Sequence, residues 1–344
     1  MTVTCFAVLN KMTAHIMKII AVFALILTTA INCGAQDITE LAERPGTFEI
    51  LSRTNYASSE CGFTQAEMTA NLERLKDIIA VVRQNPVISD IKGFMGRARL
   101  HTMSMTCKRE VWYGVPVRVA FEFSTFFYNK EGKVVFNTIE PPSWSLYTND
   151  FIPGWADFQD AAHSYFTMPL RKKTIEPGID VYDGECWVLY NPDRPPYWIP
   201  VTVEEAFQAA REFAAKEKDE IAASYNKQSL DAEWAAFSKE DLKKPAYFGG
   251  GLSRVSASPG YDGQDSIFPQ IMKVNPAYPD RTLPRSAIQF MWFTSVQNKQ
   301  YMKKQLDECR EYWKKESGSG CDLARFELSF GMTDIRNLAQ QIGK

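Results

Sequence analysis

Two short stretches of the chain gather most of the side chains that could meet a ligand. Residues 140–158, EPPSWSLYTNDFIPGWADF, set Trp144, Tyr147, Phe151 and Trp155 among Asp150 and Asp157. Residues 191–198, NPDRPPYW, place Arg194 just ahead of Tyr197 and Trp198. Flat ring faces beside carboxylates are the materials of a sugar-binding groove. Two carboxylates facing one cleft at roughly 5–9.5 Å can also serve as acid and base in glycoside hydrolysis. Asp150 and Asp157 are the first candidates for such a pair, with Glu140 behind them. The same rings suit an interior beneath irregular loops, because Trp and Tyr bring large apolar area with one polar tip.

Other chemistry is thinly represented. Beyond residue 35 the histidines are His101 and His163, and neither stands in HExxH or another metal-ligand spacing, so no metal site is expected. Gly251-Leu252-Ser253-Arg254-Val255 lacks the final glycine of a nucleophile elbow. Ser224-Tyr225-Asn226-Lys227 matches S-x-x-K literally, near the end of a charged helical stretch, and four residues with two fixed positions recur by chance. Gly249 to Gly251 lack the Gly-Lys-Ser/Thr ending of a phosphate loop, so no nucleotide cofactor is implied. Asp262-Gly263-Gln264-Asp265 has no downstream glutamate at the EF-hand position and reads as a solvated turn.

The elements that must position these residues are legible from period and punctuation. Thr64 and Glu67 form a capping box, followed by Met68, Leu72, Leu75, Ile79 and Val82 at helical spacing up to Pro86. Val115, Val117, Val119, Phe121 and Phe123 alternate with Pro116, Arg118, Ala120, Glu122 and Ser124, the period of a strand with one wet face. Asn129 to Gly132 turn that strand back into Lys133–Phe136. A short helical pattern spans Trp155–Phe166.

The segment Asp183–Phe207 carries the densest structural instruction. Cys186–Tyr190 reads as a strand, Asn191 to Pro196 stop it, and Thr202 with Glu205 caps a helix running on through Tyr225. A further helix covers Leu230–Phe237, and Ser238 to Asp241 open one more turn. Strands follow at Gln270–Val274 and Ala287–Thr294, then a helix from about Asn298 to Lys315, a strand Ala324–Phe330 and a terminal helix capped by Thr333. Asn191-Pro192 and Asn275-Pro276 open two similar proline-rich corners. This order does not alternate strictly, so the fold class expected is α+β: antiparallel sheets with packed amphipathic helices, in two associated lobes. The lobes span 36–176 and 177–344, divided where Arg171-Lys172-Lys173 and Pro177-Gly178 suggest solvent.

Of 344 residues, Lys and Arg number 39 and Asp and Glu 41. Met17-Lys18, the apolar run 19–31 and the small residues at 33–35 fit a secretory signal peptide over 1–35. The run is shorter than the roughly 20 apolar residues a membrane span needs, and no later stretch qualifies. Lipid anchoring at Cys33 is the competing reading, and Asn32 is a poor neighbour for it. Cleavage after Ala35 removes Lys11 and Lys18 and no acid, leaving 37 basic against 41 acidic residues, a net of −4. That balance argues against a nucleic-acid partner, which needs a basic surface. Cys61, Cys107, Cys186, Cys309 and Cys321 then remain, an odd number in an exported chain. Cys186 alternates with Val188 and Tyr190 and reads as a plain core thiol.

Together these features describe an exported protein, periplasmic, cell-surface or secreted. The function expected is a non-catalytic binding or envelope-associated module with carbohydrate or another envelope component as its partner. Its site would lie where the segment 140–158 meets the corner at 191–200. A carboxylate-dependent hydrolase acting on carbohydrate is the alternative.

Overall fold

Both expected capping boxes form, and each starts a helix that covers one side of the molecule. The computed structural model describes residues 41, 44–51, 61–102, 113–136, 141, 143–151, 158, 164–168, 172–182, 186–249, 251–260, 268–294 and 333–344. Thr64 Oγ1 accepts from the Glu67 amide at 3.2 Å, and Glu67 Oε2 accepts from the Thr64 amide at 2.7 Å, opening α1 (Gln65–Arg83). The chain then makes the single turn α2 (Pro86–Ser89), with proline at the first helical position, where its missing N–H costs nothing.

The strands β1 (Phe48–Leu51), β2 (Phe94–Thr102), β3 (Val117–Tyr128), β4 (Val134–Phe136) and β5 (Ser143–Thr148) come first. β6 (Tyr165–Thr167), β7 (Lys172–Glu176), β8 (Ile179–Tyr182), β9 (Cys186–Tyr190) and β10 (Trp198–Pro200) follow. The corner after β10 leads to α3 (Val203–Ala214) and α4 (Glu220–Ala235), then β11 (Tyr247–Phe248), β12 (Val255–Ser256), β13 (Ile271–Val274), β14 (Phe290–Thr294) and α5 (Ile335–Ala339). Among the described residues the large sheet runs β1-β2-β3-β5-β14-β9-β8-β7, with β4 on the far half of β3; a second sheet runs β10-β13-β6. The class is α+β, and every pairing of the large sheet is antiparallel except β1 with β2, which is parallel.

Period-two alternation decides which residues go to which interior. One face of the large sheet sends Val117, Val119, Phe121, Trp144, Leu146 and Phe293 against Leu75, Ile79 and Val82 of α1 and Leu338 of α5. The other face sends Val188, Phe290 and Trp292 against Phe166, Trp198, Met272 and Val274 of the second sheet. The second sheet in turn passes Ile271 to Phe207, Ala206 and Ala210 of α3. The described parts stack as helix, sheet, sheet, helix.

Several expectations change. The face of β3 expected to be wet is largely covered, because Ala120, Glu122 and Ser124 are buried as well as the valines and Arg118 is half-buried. Tyr165 and Phe166, placed at the end of a short helix by sequence, are instead part of β6, since it pairs with β13. The helix expected from Val203 to Tyr225 breaks after Ala214. Asp219 accepts from the amides of Ile221 and Ala222, both at 2.9 Å, and so starts α4 afresh. Asp334, not Thr333, caps the terminal helix. The lobe boundary at 176/177 falls on the turn between β7 and β8, inside the large sheet, so strands on both sides of it share one hydrogen-bonded surface. The segment 1–35, Cys107, Cys309, Cys321, His163, the turn 262–265, the helix 298–315 and the strand 324–330 lie outside the described residues. No described helix is long and apolar enough to cross a membrane.

One buried amide holds the middle of the large sheet. Asn149 follows β5 at φ 52° and is fully shut from solvent. Its Nδ2 donates to Val115 O and Ala287 O at 3.3 and 2.9 Å, and its Oδ1 accepts from the Gln289 amide at 2.9 Å. Gly114 passes so close that an added Cβ would stand 2.7 Å from Asn149 Nδ2. Asn149→Ala leaves three buried backbone groups unmatched in a left-handed backbone and is expected to cost about 2–4 kcal/mol in urea unfolding. Asn149→Gly, which relieves the backbone alone, should recover less than half of that. Full recovery by glycine would make the backbone, not the hydrogen bonds, the reason for asparagine here.

Candidate functional site

A single cross-strand row spans the face of the large sheet opposite α1. Reading across β3, β5, β14, β9, β8 and β7, it runs Arg118, Tyr147, Trp292, Val188, Asp180, Thr174. Directly opposed residues in such a row stand about 4.5–5.5 Å apart at Cβ, so they are neighbours on one face. Both ends are polar, and they differ in one respect that bears on function.

At the Asp180 end the hydrogen-bonding needs of the carboxylate are met. The carboxylate is fully buried and receives Thr174 Oγ1 at 2.7 Å, Lys172 Nζ at 2.6 Å and the Tyr197 hydroxyl at 2.5 Å. Tyr190 is a further hydrogen-bond partner of the same carboxylate. The Tyr182 hydroxyl stands 2.6 Å from that of Tyr197; because Tyr197 gives its proton to Asp180, Tyr182 is the donor. A carboxylate has about four lone-pair sites, and here they are taken. Burial, the largest cause, pushes the phenols of Tyr182 and Tyr197 well above their ordinary range. This end is an ionic and phenolic knot whose carboxylate is buried and whose lysine reaches it from the solvent side.

At the Arg118 end needs are left unmet. The half-buried Arg118 guanidinium makes one hydrogen bond, Nε to Ser145 Oγ at 2.9 Å, and among the described residues it has no carboxylate partner. Beside it the Tyr147 and Trp292 rings are stacked, 3.9 Å between centroids and 2° between planes. Trp292 is buried, yet its Nε1 finds no hydrogen-bond acceptor. On the same face Ser124 Oγ and Arg97 Nε are also buried without hydrogen bonds, although Arg97 lies 3.6 Å from Glu49 and over the Phe136 ring. Arg99 next to them is matched, with a two-pronged contact to Glu122 at 2.8 and 3.1 Å. Orphaned buried donors are uncommon, and a guanidinium beside flat rings suits a planar anion.

The residues expected from sequence are dispersed. Trp144 points to the α1 side, stacked on Phe121 at 4.3 Å, while Tyr147, three positions on, belongs to the opposite face. Asp150 is buried at the end of β5. Trp155, Asp157 and Glu140 lie outside the described residues. Arg194 is a structural clamp: Nε donates to Tyr278 O at 2.9 Å, Nη2 to Ala277 O at 3.0 Å and Pro279 O at 3.3 Å, and Nη1 lies 3.6 Å from Asp280. Tyr197 and Trp198 are interior, with Trp198 Nε1 donating to Phe151 O at 2.7 Å. The segment after β5 does meet the 191–200 corner, but among the described residues the junction is filled by Phe151, Tyr197, Trp198, Tyr278 and Phe290 rather than open.

Arg118, Trp292, Lys172 and Asp180 were not singled out as site residues by sequence. Asp180 had a signal, a lone acid inside the apolar run Ile179–Tyr182. Trp292 had none, since its partner strand comes from far along the chain. Cys186 is buried and free, and burial pushes its thiol up to about 12, which rules it out as a ready nucleophile. Cys61 is disulfide-bonded, and its partner lies outside the described residues. Among the described residues no three His, Cys, Asp or Glu side chains come together to hold a metal ion. Comparison with protein-family models, curated proteins and solved structures finds no match to this chain.

The buried phenols have a measurable pH signature. Tyr182, Tyr197 and Tyr278 are all raised above the unfolded phenol value of about 10, mainly by burial. Their contribution is therefore fully present below about pH 10 and is lost as pH rises beyond it, by about 1.4 kcal/mol per pH unit for each phenol. Urea midpoints are expected to hold steady up to about pH 9.5 and then fall, with Tyr182→Phe falling less steeply. Phenolate absorbance from these three groups should appear only with unfolding. A full phenolate signal from the folded protein would contradict the geometry.

Proposed function

We propose that the chain is an exported, non-catalytic binding module whose ligand is an acidic saccharide held on the sheet face at Arg118, Tyr147 and Trp292. The observation that carries this reading is the uncompensated Arg118 guanidinium beside a stacked aromatic pair whose indole N–H has no acceptor. A sugar carboxylate would pair with the guanidinium, and a ring hydroxyl would accept from Trp292 Nε1. The half-buried Tyr147 ring offers apolar surface to the C–H face of the pyranose.

Binding without turnover is supported by the state of the reactive groups. Asp180 has its lone pairs occupied, and the Cys186 thiol is held protonated. Export is supported by the disulfide at Cys61, since such bonds persist in oxidising compartments. Together with the signal segment expected at 1–35, this gives an envelope or extracellular setting.

The reading is tested by calorimetric titration with uronic-acid oligosaccharides and with their neutral counterparts of equal length. Acidic oligomers are expected to bind and neutral ones to bind at least tenfold more weakly. Arg118→Ala should weaken the acidic oligomers about 10- to 100-fold, the loss of one charge-assisted contact. Tyr147→Ala should weaken both kinds. Equal binding of the two sugar classes, no binding of either, or an Arg118→Ala protein that binds as before would each overturn it.

A further inference from the structure

The helical hairpin on the far side of the second sheet carries a different opening, independent of the sheet face. α3 buries Val203, Ala206, Phe207, Ala209 and Ala210, as a helix packed on a sheet should. α4 buries only Leu230. Between the two helices lies a cavity of about 420 Å³ whose apolar wall is Ala210, Phe213, Ala214, Leu230 and Leu252. That volume falls within the range of small-molecule sites, roughly 300–1,000 Å³. Phe213 and Leu252 remain 41% and 39% exposed, and Ile221 and Tyr225 of α4 are 83% and 68% exposed. These four are most of the large apolar side chains left in water among the described residues; three belong to the hairpin, and Leu252 reaches the cavity from the turn between β11 and β12.

The polar lining of the cavity has a sign. Lys216 and Lys218 line it and are exposed, and neither has an acidic partner among the described residues. Glu217 between them keeps its charge while its carboxylate accepts from the amides of Lys218 and Asp219 at 2.8 and 3.1 Å, so the lip carries two ammonium groups against one carboxylate. Lysines just past a helix C-terminus are favoured by the helix dipole whatever they bind. The apolar wall has no such account, since it leaves large hydrophobic side chains in contact with water. An apolar slot with two unpaired ammonium groups at its lip fits a molecule with a hydrocarbon body and a single anionic head.

We infer that the α3–α4 hairpin binds a free alkyl carboxylate, with the chain against Phe213, Leu230 and Leu252 and the carboxylate at Lys216 and Lys218. Burial of the chain supplies the affinity and the lysines select the head group. Neither contact involves Arg118 or Trp292, so this site stands or falls apart from the saccharide reading.

The test uses the full chain and three probes at concentrations below micelle formation: dodecanoate, dodecyltrimethylammonium and small vesicles containing anionic phospholipid. Calorimetry is expected to show saturable binding of dodecanoate at one site and at least fivefold weaker binding of the cationic amphiphile. Lys216→Glu with Lys218→Glu, both at exposed positions where folding is not at risk, should weaken dodecanoate about five- to tenfold at low salt. Ala214→Leu, which narrows the slot while keeping both charges, should weaken it as well. Arg118→Ala should leave dodecanoate binding unchanged. Equal binding of both amphiphiles, an unaffected double variant, or binding to vesicles without binding of the free acid would each overturn the inference.

Discussion

The Asp180 carboxylate has no access to water, and the arrangement of the two sheets follows from how that charge is accommodated. A buried carboxylate is tolerated only when it is paired and hydrogen-bonded, and the donors here come from two separate parts of the chain. Lys172 and Thr174 reach it from β7 across a hairpin, and Tyr197 reaches it from the proline-rich corner that leads into the second sheet. Removing one of these leaves a charge without its complement. The knot therefore fixes where the corner sits on the large sheet, and with it the angle at which Trp198, Phe166 and Met272 enter the aromatic interior.

The two Asn-Pro corners complete that placement. Asn191 and Asn275 each fold their side chain back onto the amide two residues on, and then each reaches the other's loop. Asn275 Nδ2 donates to Pro196 O at 2.7 Å, its amide donates to Tyr197 O at 2.9 Å, and the Asn191 amide donates to the Tyr278 hydroxyl at 3.1 Å. The Tyr278 hydroxyl passes the connection on to Gln289 O at 2.8 Å, just before β14. Two turns that looked merely alike are in fact clasped together, and β14 is held between β5 and β9 as a result. The row that runs from Arg118 to Asp180 exists only because β14 is there.

Along that row the same kinds of side chain do opposite work. Near Asp180, phenols, a threonine and a lysine satisfy one buried carboxylate, which gives rigidity. Near Arg118 a half-buried guanidinium has no carboxylate partner among the described residues and a buried indole N–H has no acceptor, the contrast on which the proposed saccharide site rests. The contrast shows why aromatic density alone is a poor guide. Trp144, Tyr147 and Trp198 are equally conspicuous in sequence, yet Trp144 fills the helix-side interior, Trp198 fills the sheet-to-sheet interior and Tyr147, half-buried, stacks on Trp292 at the edge of that second interior.

What could be read from the chain directly were features whose cause is local. Thr64 with Glu67 and Thr202 with Glu205 start helices because a side chain three residues on can reach back. The alternation at 117–123 makes a strand because side chains alternate faces, and Cys186 is a core thiol because its strand mates are apolar. The α+β class follows from the same patterns. Contacts between distant segments were decided by the tertiary structure alone. The covering of β3 on its second face, the seating of β14 between β5 and β9 and the meeting of Asp180 with Tyr197 join residues far apart in sequence. No short-range pattern encodes such a pairing, because its free energy comes from apolar burial and hydrogen-bond satisfaction realised only when the segments meet.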